Sequence, residues 1–181
     1  MNDLSLHIID IIQNSLSAGA KRIGLAVKED VHADKLTITI EDDGKGMSPE
    51  IVARLEDPFY TTRTTRKVGM GIPLYKHSAM QSGGDVRIES ELGKGTKVIA
   101  WFQLNNIDRP PLGDVANSFV LMVSANPHIH FTLCYSVNEN EYTFDSMEVA
   151  GVLGDIELSD VRVIRLLEEM IRENINELKM M

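Results

Sequence analysis

The sequence predicts an α/β protein with a small α+β unit after its main domain. Three observations carry this. Leu4, Ile8, Ile11 and Ile12 recur at helical spacing. Ile23, Leu25 and Val27, and then Leu36, Ile38 and Ile40, alternate as the buried faces of strands do. The composition breaks at 105–111, where two prolines stand among polar residues and mark a linker between 1–105 and 112–181.

The elements follow in order. A helix over 4–18 carries Asp3, His7, Asp10 and Asn14 as a polar stripe, and Gly19 stops it. Strands over 23–27 and 36–41 come next. Ser48 as N-cap and Pro49 at the first helical position open a short helix that runs to about Glu56. The stretch 57–71 reads as irregular, and a helix over 72–81 ends at Gly83-Gly84. Strands over 86–91 and 96–104 are joined by a turn at Gly93-Lys94-Gly95. Beyond the linker a helix is expected over 112–124, strands over 129–136 and 141–145, a short helix over 146–152, and a long one over 159–179. Ser159 is the expected N-cap of the last, with Val163, Leu166, Leu167, Met170 and Ile171 as its apolar stripe.

The bulk numbers exclude several partner classes. The formal net charge of −9 lacks the basic footprint of a nucleic-acid binder and disfavours an anionic membrane surface. The 43% hydrophobic and 25% charged fractions are those of a globular protein, and no apolar run approaches a membrane span. Residues 1–3 place no positive segment before the first apolar stretch, as a signal peptide would. One cysteine, Cys134, allows no internal disulfide, so a cytoplasmic location is expected.

Four segments carry chemistry. Asp10 and Asn14 lie one turn apart, so they share a helix face with Ala18 another turn on. An amide oxygen such as that of Asn14 is a hard ligand suited to Mg²⁺, and a carboxylate one turn earlier can take a proton from an attacking water. The second segment, Asp42-Asp43-Gly44-Lys45-Gly46-Met47, offers a carboxylate to an exocyclic amine and glycines for close backbone approach. The third runs from Phe59 through Thr61, Thr62 and Arg63 to Gly69, Met70, Gly71 and Ile72, where glycines precede a helix N-terminus that favours phosphate. The fourth is Thr96 after the Gly93–Gly95 turn. No P-loop pattern occurs. Each segment alone reads as a solvated stripe, a turn or a loop; their joint order does not.

This order resembles the Bergerat-type nucleotide pocket shared by histidine-kinase catalytic domains, MutL-type repair proteins, gyrase B subunits and anti-sigma serine kinases. The resemblance covers about 4–104. It implies a two-layer α/β sandwich, a mixed sheet covered by helices on one face. It implies ATP and Mg²⁺ as ligands. Asn14 would hold the metal and Asp42 the adenine, with Gly44 and Gly46 as the glycines of that box. Phe59, Thr62 and Arg63 would enter the lid, Gly69, Met70, Gly71 and Ile72 would follow it, and Thr96 would close the base side. Ala18 and Met47 complete the implied nucleotide contacts, and Asp10 stands where a general base belongs. The stretches at 6–15 and 69–74 are also similar to small stand-alone ATP-binding proteins of anaerobic bacteria.

Two departures keep two functions open. The first is Asp10, where the ATP-hydrolysing members usually carry Glu; the second is that no phosphoacceptor helix is read. Pro73 also replaces a further glycine, but early in a helix, where proline is tolerated. His7 lies inside the nucleotide helix, so autophosphorylation in the usual histidine-kinase manner is not expected. The chain therefore reads either as a kinase of a protein partner or slow ATPase, or as a nucleotide-responsive module that switches a partner interaction without turnover. The charged face of the last helix, with Glu168, Glu169, Arg172, Glu173 and Glu177, could meet a partner or a second copy in a homodimer. His128, His130 and Cys134 share one strand face. Cys134 lies ~13 Å beyond His130 on an extended strand, so one ion cannot take all three and a half-buried structural face is expected.

Overall fold

In the computed structural model, residues 3–57 and 71–181 are described. Six strands form one sheet in the order β3-β4-β2-β1-β5-β6. The elements are α1 (Leu4–Ser17), β1 (Arg22–Asp30), β2 (Lys35–Asp42), α2 (Pro49–Glu56), α3 (Gly71–Gln81), β3 (Asp85–Glu91) and β4 (Gly95–Gln103). They continue with α4 (Val115–Ala125), β5 (His130–Val137), β6 (Asn140–Asp145), α5 (Ser146–Leu153) and α6 (Val161–Met180). Neighbouring strands are antiparallel except β1 and β5, which run parallel and make the sheet mixed.

The period-2 pattern decides which face is buried. On β1, Leu25 and Val27 stand beside Ile40 and Ile38 of β2, and Ile23, Leu25 and Val27 stand beside Phe131, Leu133 and Tyr135 of β5. Helices α1, α3, α4 and α6 add their apolar stripes to this same core. Each fully buried Ile or Leu there contributes about 1.5–3 kcal/mol of transfer free energy. Asp3 caps α1 by accepting from Leu6 N–H, and Ser48 caps α2 by accepting from Ile51 N–H.

Several expectations are corrected. The helix expected over 112–124 begins at Val115, because Gly113 sits at φ +79° and Asp114 caps the helix through Asn117 N–H. Asp160, not Ser159, caps α6, where it accepts from Arg162 N–H. Leu166 is 59% exposed, and the buried stripe of α6 is Val163, Leu167, Ile171, Ile175 and Leu178. His7, placed on a polar stripe by its spacing, is 3% exposed because α3 packs over it.

Residues 112–181 were set apart by sequence, yet β5 and β6 continue the sheet of 1–105 beyond β1. The 105–111 stretch is tied to both sides. Leu4 N–H donates to Pro111 O at 2.9 Å, and Arg109 Nε donates to Leu104 O at 2.8 Å.

Candidate nucleotide site

A cavity of about 240 Å³ opens between α1, the loop after β2, α2, α3 and β4. Its polar wall comes from Asn14, Ser15, Asp42 and Thr96, and its apolar wall from Ile11, Met47, Leu55, Ile72 and Val98. A flat aromatic ligand with a few polar edges fits such a lining.

Asp42 is held through both of its carboxylate oxygens. It is the last residue of β2, paired with Ile23 of β1 and Thr96 of β4. Ser15 Oγ–H donates to its Oδ2 at 2.6 Å, and Gly44 N–H donates to its Oδ1 at 2.9 Å. Both oxygens are thus fixed in direction, with lone pairs left for a ligand donor. The glycines beside it permit the close packing. A β-carbon on Gly44 would come within 2.9 Å of Ala18 Cβ, and one on Gly46, at φ +67°, within 2.0 Å of Glu91 O. Gly46 therefore requires both the left-handed backbone and the absent side chain.

Neighbouring hydrogen bonds brace this loop. Asp43 accepts from Lys21 N–H at 2.7 Å and Arg22 N–H at 2.9 Å. Desolvation opposes ionisation of Asp43, but these bonds hold its carboxyl below the ordinary carboxylate value. Ser90 Oγ accepts from Met47 N–H at 2.8 Å and lies 2.8 Å from Thr96 Oγ1, so β3 positions two cavity residues at once.

Asn14 is exposed on the cavity wall, and Ala18 lies one turn beyond it. Among the described residues no group of three His, Cys, Asp or Glu side chains could hold an ion. On the cavity wall Asn14 offers a hard amide oxygen. That fits Mg²⁺, which keeps waters and takes phosphate oxygens, and would not fit a metal needing an all-protein cage. Gly71 is the first residue of α3, and Ile72, the next, lies on the cavity wall; backbone N–H groups at a helix start have no partner within the helix itself. Asp10 is not on that wall. It stands at the α1–α3 contact, where a β-carbon on Gly71 would lie 3.2 Å from Asp10 Cβ.

The structure thus brings Asn14, Ala18, Asp42, Gly46, Met47, Ile72 and Thr96 to one cavity, with Gly44 beneath Asp42 and Gly71 against Asp10. Phe59, Thr62, Arg63, Gly69 and Met70 lie outside the described residues. Ser15 and Ser90 were missed by sequence reasoning. Ser15 follows Asn14 and is buried, a signal visible only once β2 is beside α1. On β5, His130 Nε2 lies 2.8 Å from Asp145 Oδ2 at the end of β6.

Comparison with known proteins gives the class. Residues 2–106 match the family model described as histidine kinase-, DNA gyrase B- and HSP90-like ATPase. Sporulation kinase C of Bacillus subtilis is 32% identical over 95 residues, which are 52% of this chain and 22% of that protein. The sensor histidine kinase CpxA of Escherichia coli is 31% identical over 110 residues, 57% of this chain and 23% of that one. Among solved structures, the Aquifex aeolicus MutL ATPase domain complexed with ADP aligns with TM-score 0.50 and 18% identity, over 84% of this chain and 69% of that chain. The N-terminal domain of a DNA repair protein aligns with TM-score 0.55 and 16% identity, over 79% of this chain and 52% of that one.

This chain belongs to the histidine kinase-, gyrase B- and HSP90-like ATPase family. The matched region corresponds to less than a quarter of the length of either curated kinase.

Proposed function

We propose that this protein binds ATP·Mg²⁺ in the cavity between α1 and β4 and uses it in phosphoryl transfer to a protein partner or in slow hydrolysis. The single observation that carries the reading is Asp42, on the wall of a cavity that also has the apolar side chains Ile11, Met47, Leu55, Ile72 and Val98, with one carboxylate oxygen held by Ser15 and the other by Gly44. That is the chemistry an adenine amine needs. Asn14 would hold the metal, which when bound supplies neutralisation of phosphate charge. Gly71 and Ile72 would present backbone N–H groups to the phosphates at the start of α3. Asp10 would orient and deprotonate the attacking group. Catalysis of this kind rests on positioning and charge more than on covalent chemistry.

A second reading has its own observation. Asp10 is a methylene shorter than Glu and packs against Gly71 rather than lining the cavity. In that reading ATP binding alone changes a surface offered to a partner. Calorimetry with ATP·Mg²⁺ tests the shared part: wild-type affinity in both Asn14→Ala and Asp42→Asn would sink the pocket. Turnover of γ-labelled ATP separates the two readings. Loss in Asp10→Asn supports the enzyme; a wild-type chain that binds ATP but neither releases ADP nor labels a partner supports the switch.

A further inference from the structure

Among the described residues, two buried side-chain atoms lack a hydrogen-bond partner, His7 Nδ1 and the Tyr75 hydroxyl. The side chains belong to residues only 3% and 1% exposed. Their rings stack, with centroids 4.8 Å apart and planes 23° apart, and Tyr75 leans on Phe102 of β4 at 5.8 Å. Desolvation holds the His7 imidazole below its ordinary pKa, while the Asp10 charge works in the opposite direction. Unpartnered buried polar atoms are rare and costly, and a pair of apolar side chains would fill the same space without that cost.

The place of the pair matters. His7 lies one turn before Asp10 on α1, and Tyr75 lies one turn after Gly71 on α3. Residues at such spacings share a helix face. Since Gly71 abuts Asp10 and Tyr75 stacks on His7, α1 and α3 touch at two successive turns. One contact lies at the phosphate end of the site; the next is the stacked pair.

We propose that the His7–Tyr75 stack is a positioning joint that sets the distance between Asp10 and the first turn of α3, and thereby how well the site receives the terminal phosphate of ATP. This rests on the ATP reading above. Ring stacking draws the helices together, and the two desolvated polar atoms oppose it. The joint therefore holds α3 against α1 without locking it. The adenine end is held separately, by Ser15 on Asp42 and by Ser90 beside Thr96. Disturbing the joint should therefore act on ATP far more than on ADP.

The test is calorimetry of ATP·Mg²⁺ and ADP·Mg²⁺ binding to the full chain, with folding checked by circular dichroism. Tyr75→Leu and His7→Leu each break the stack from one side and should weaken ATP binding by about tenfold or more, while ADP changes by less than about twofold. Tyr75→Phe keeps the stack, drops one orphaned atom and should bind ATP at least as tightly as wild type. An unchanged ATP-to-ADP ratio in a folded Tyr75→Leu would overturn the proposal and leave the pair as plain core. Where Tyr75→Leu does not fold, His7→Leu makes the same comparison. A wild-type chain that binds neither nucleotide overturns the ATP reading itself, a result distinct from an unchanged ratio in a protein that binds both.

Discussion

Ser15 reaches Asp42 across 27 positions of sequence, its hydroxyl donating to the carboxylate at 2.6 Å. The bond joins α1 to the end of β2, two elements that line the cavity. Ser15 also lies 3.3 Å from Ile11 O, the back-bond a helical serine ordinarily makes. The shorter, charge-assisted contact is the stronger of the two. Removing it in Ser15→Ala frees Asp42 to rotate away from the slot. Adenine-nucleotide affinity should fall about tenfold, or about 1.4 kcal/mol, with little loss of melting temperature. Wild-type affinity in this variant, measured by calorimetry, would show that Gly44 N–H alone orients Asp42.

Gly46 offers a test of the loop itself. At φ +67°, a β-carbon there would fall 2.0 Å from Glu91 O, a backbone atom that cannot swing aside. Gly46→Ala must therefore either shift the loop or push β3 from it. A destabilisation of at least about 2 kcal/mol is expected, seen as a Tm lower by about 4–8 °C. Gly93→Ala is the matched control. It has a similar φ of +79° but nothing within 4 Å of the added carbon, so it should lose only the smaller conformational part. Equal losses in the two variants would mean that the close approach to Glu91 contributes nothing.

How much of this was legible in the sequence follows from what each feature depends on. The helix and strand positions follow from local periodicity, and the Ser48-Pro49 start of α2 was readable from two adjacent residues. Asp42, Gly44 and Gly46 could be singled out because a loop that bends sharply beside a carboxylate needs those residue types. The burial of His7 was not readable, because its spacing on α1 is that of the polar stripe and only Tyr75 arriving from α3 encloses it. Ser15 was hidden for the same reason, its partner being supplied by tertiary packing. The pairing of β5 with β1 was hidden most completely. Alternation along 129–136 shows which residues face the core, but carries no information about which strand lies alongside.

His7 gives the protein a distinctive pH response. Its imidazole is neutral and buried, and burial sets its pKa in the folded state below the ordinary value of 6.5. The unfolded chain therefore binds the proton first as acid is added. The stability that depends on neutral His7 is complete above pH 6.5 and is lost progressively as pH falls below it toward the folded-state value. The carboxylates held low in the fold, such as Asp43 and Asp145, begin to matter only in more acid solution. Urea midpoints taken between pH 7.5 and 5 should thus decline in wild type and stay flatter in His7→Phe, which keeps the ring stack. Parallel profiles for the two proteins would assign the decline to other groups.

The family match ends at residue 106, yet the sheet does not. β1 lies between β2 and β5, so without 106–181 it would become an edge strand. Ile23, Leu25 and Val27 would lose the flanking Phe131, Leu133 and Tyr135, and Leu4 would lose its bond to Pro111 O. The far end is fastened as well. Tyr135 donates its hydroxyl to Glu29, and Lys179 pairs with the same carboxylate at 3.2 Å, tying α6 to the end of β1. With one sheet and one core shared by both parts of the chain, unfolding as one unit is expected. The full chain should show a single calorimetric transition, and a fragment of 1–105 should lack a comparable cooperative transition because it leaves a long apolar edge in water. Glu29→Ala should lower the Tm of the whole chain, since it leaves the Tyr135 hydroxyl buried without an acceptor at a cost of about 1–3 kcal/mol. Two resolved transitions, with the fragment melting at the temperature of one of them, would instead make the first hundred residues an independent domain to which 112–181 is merely attached.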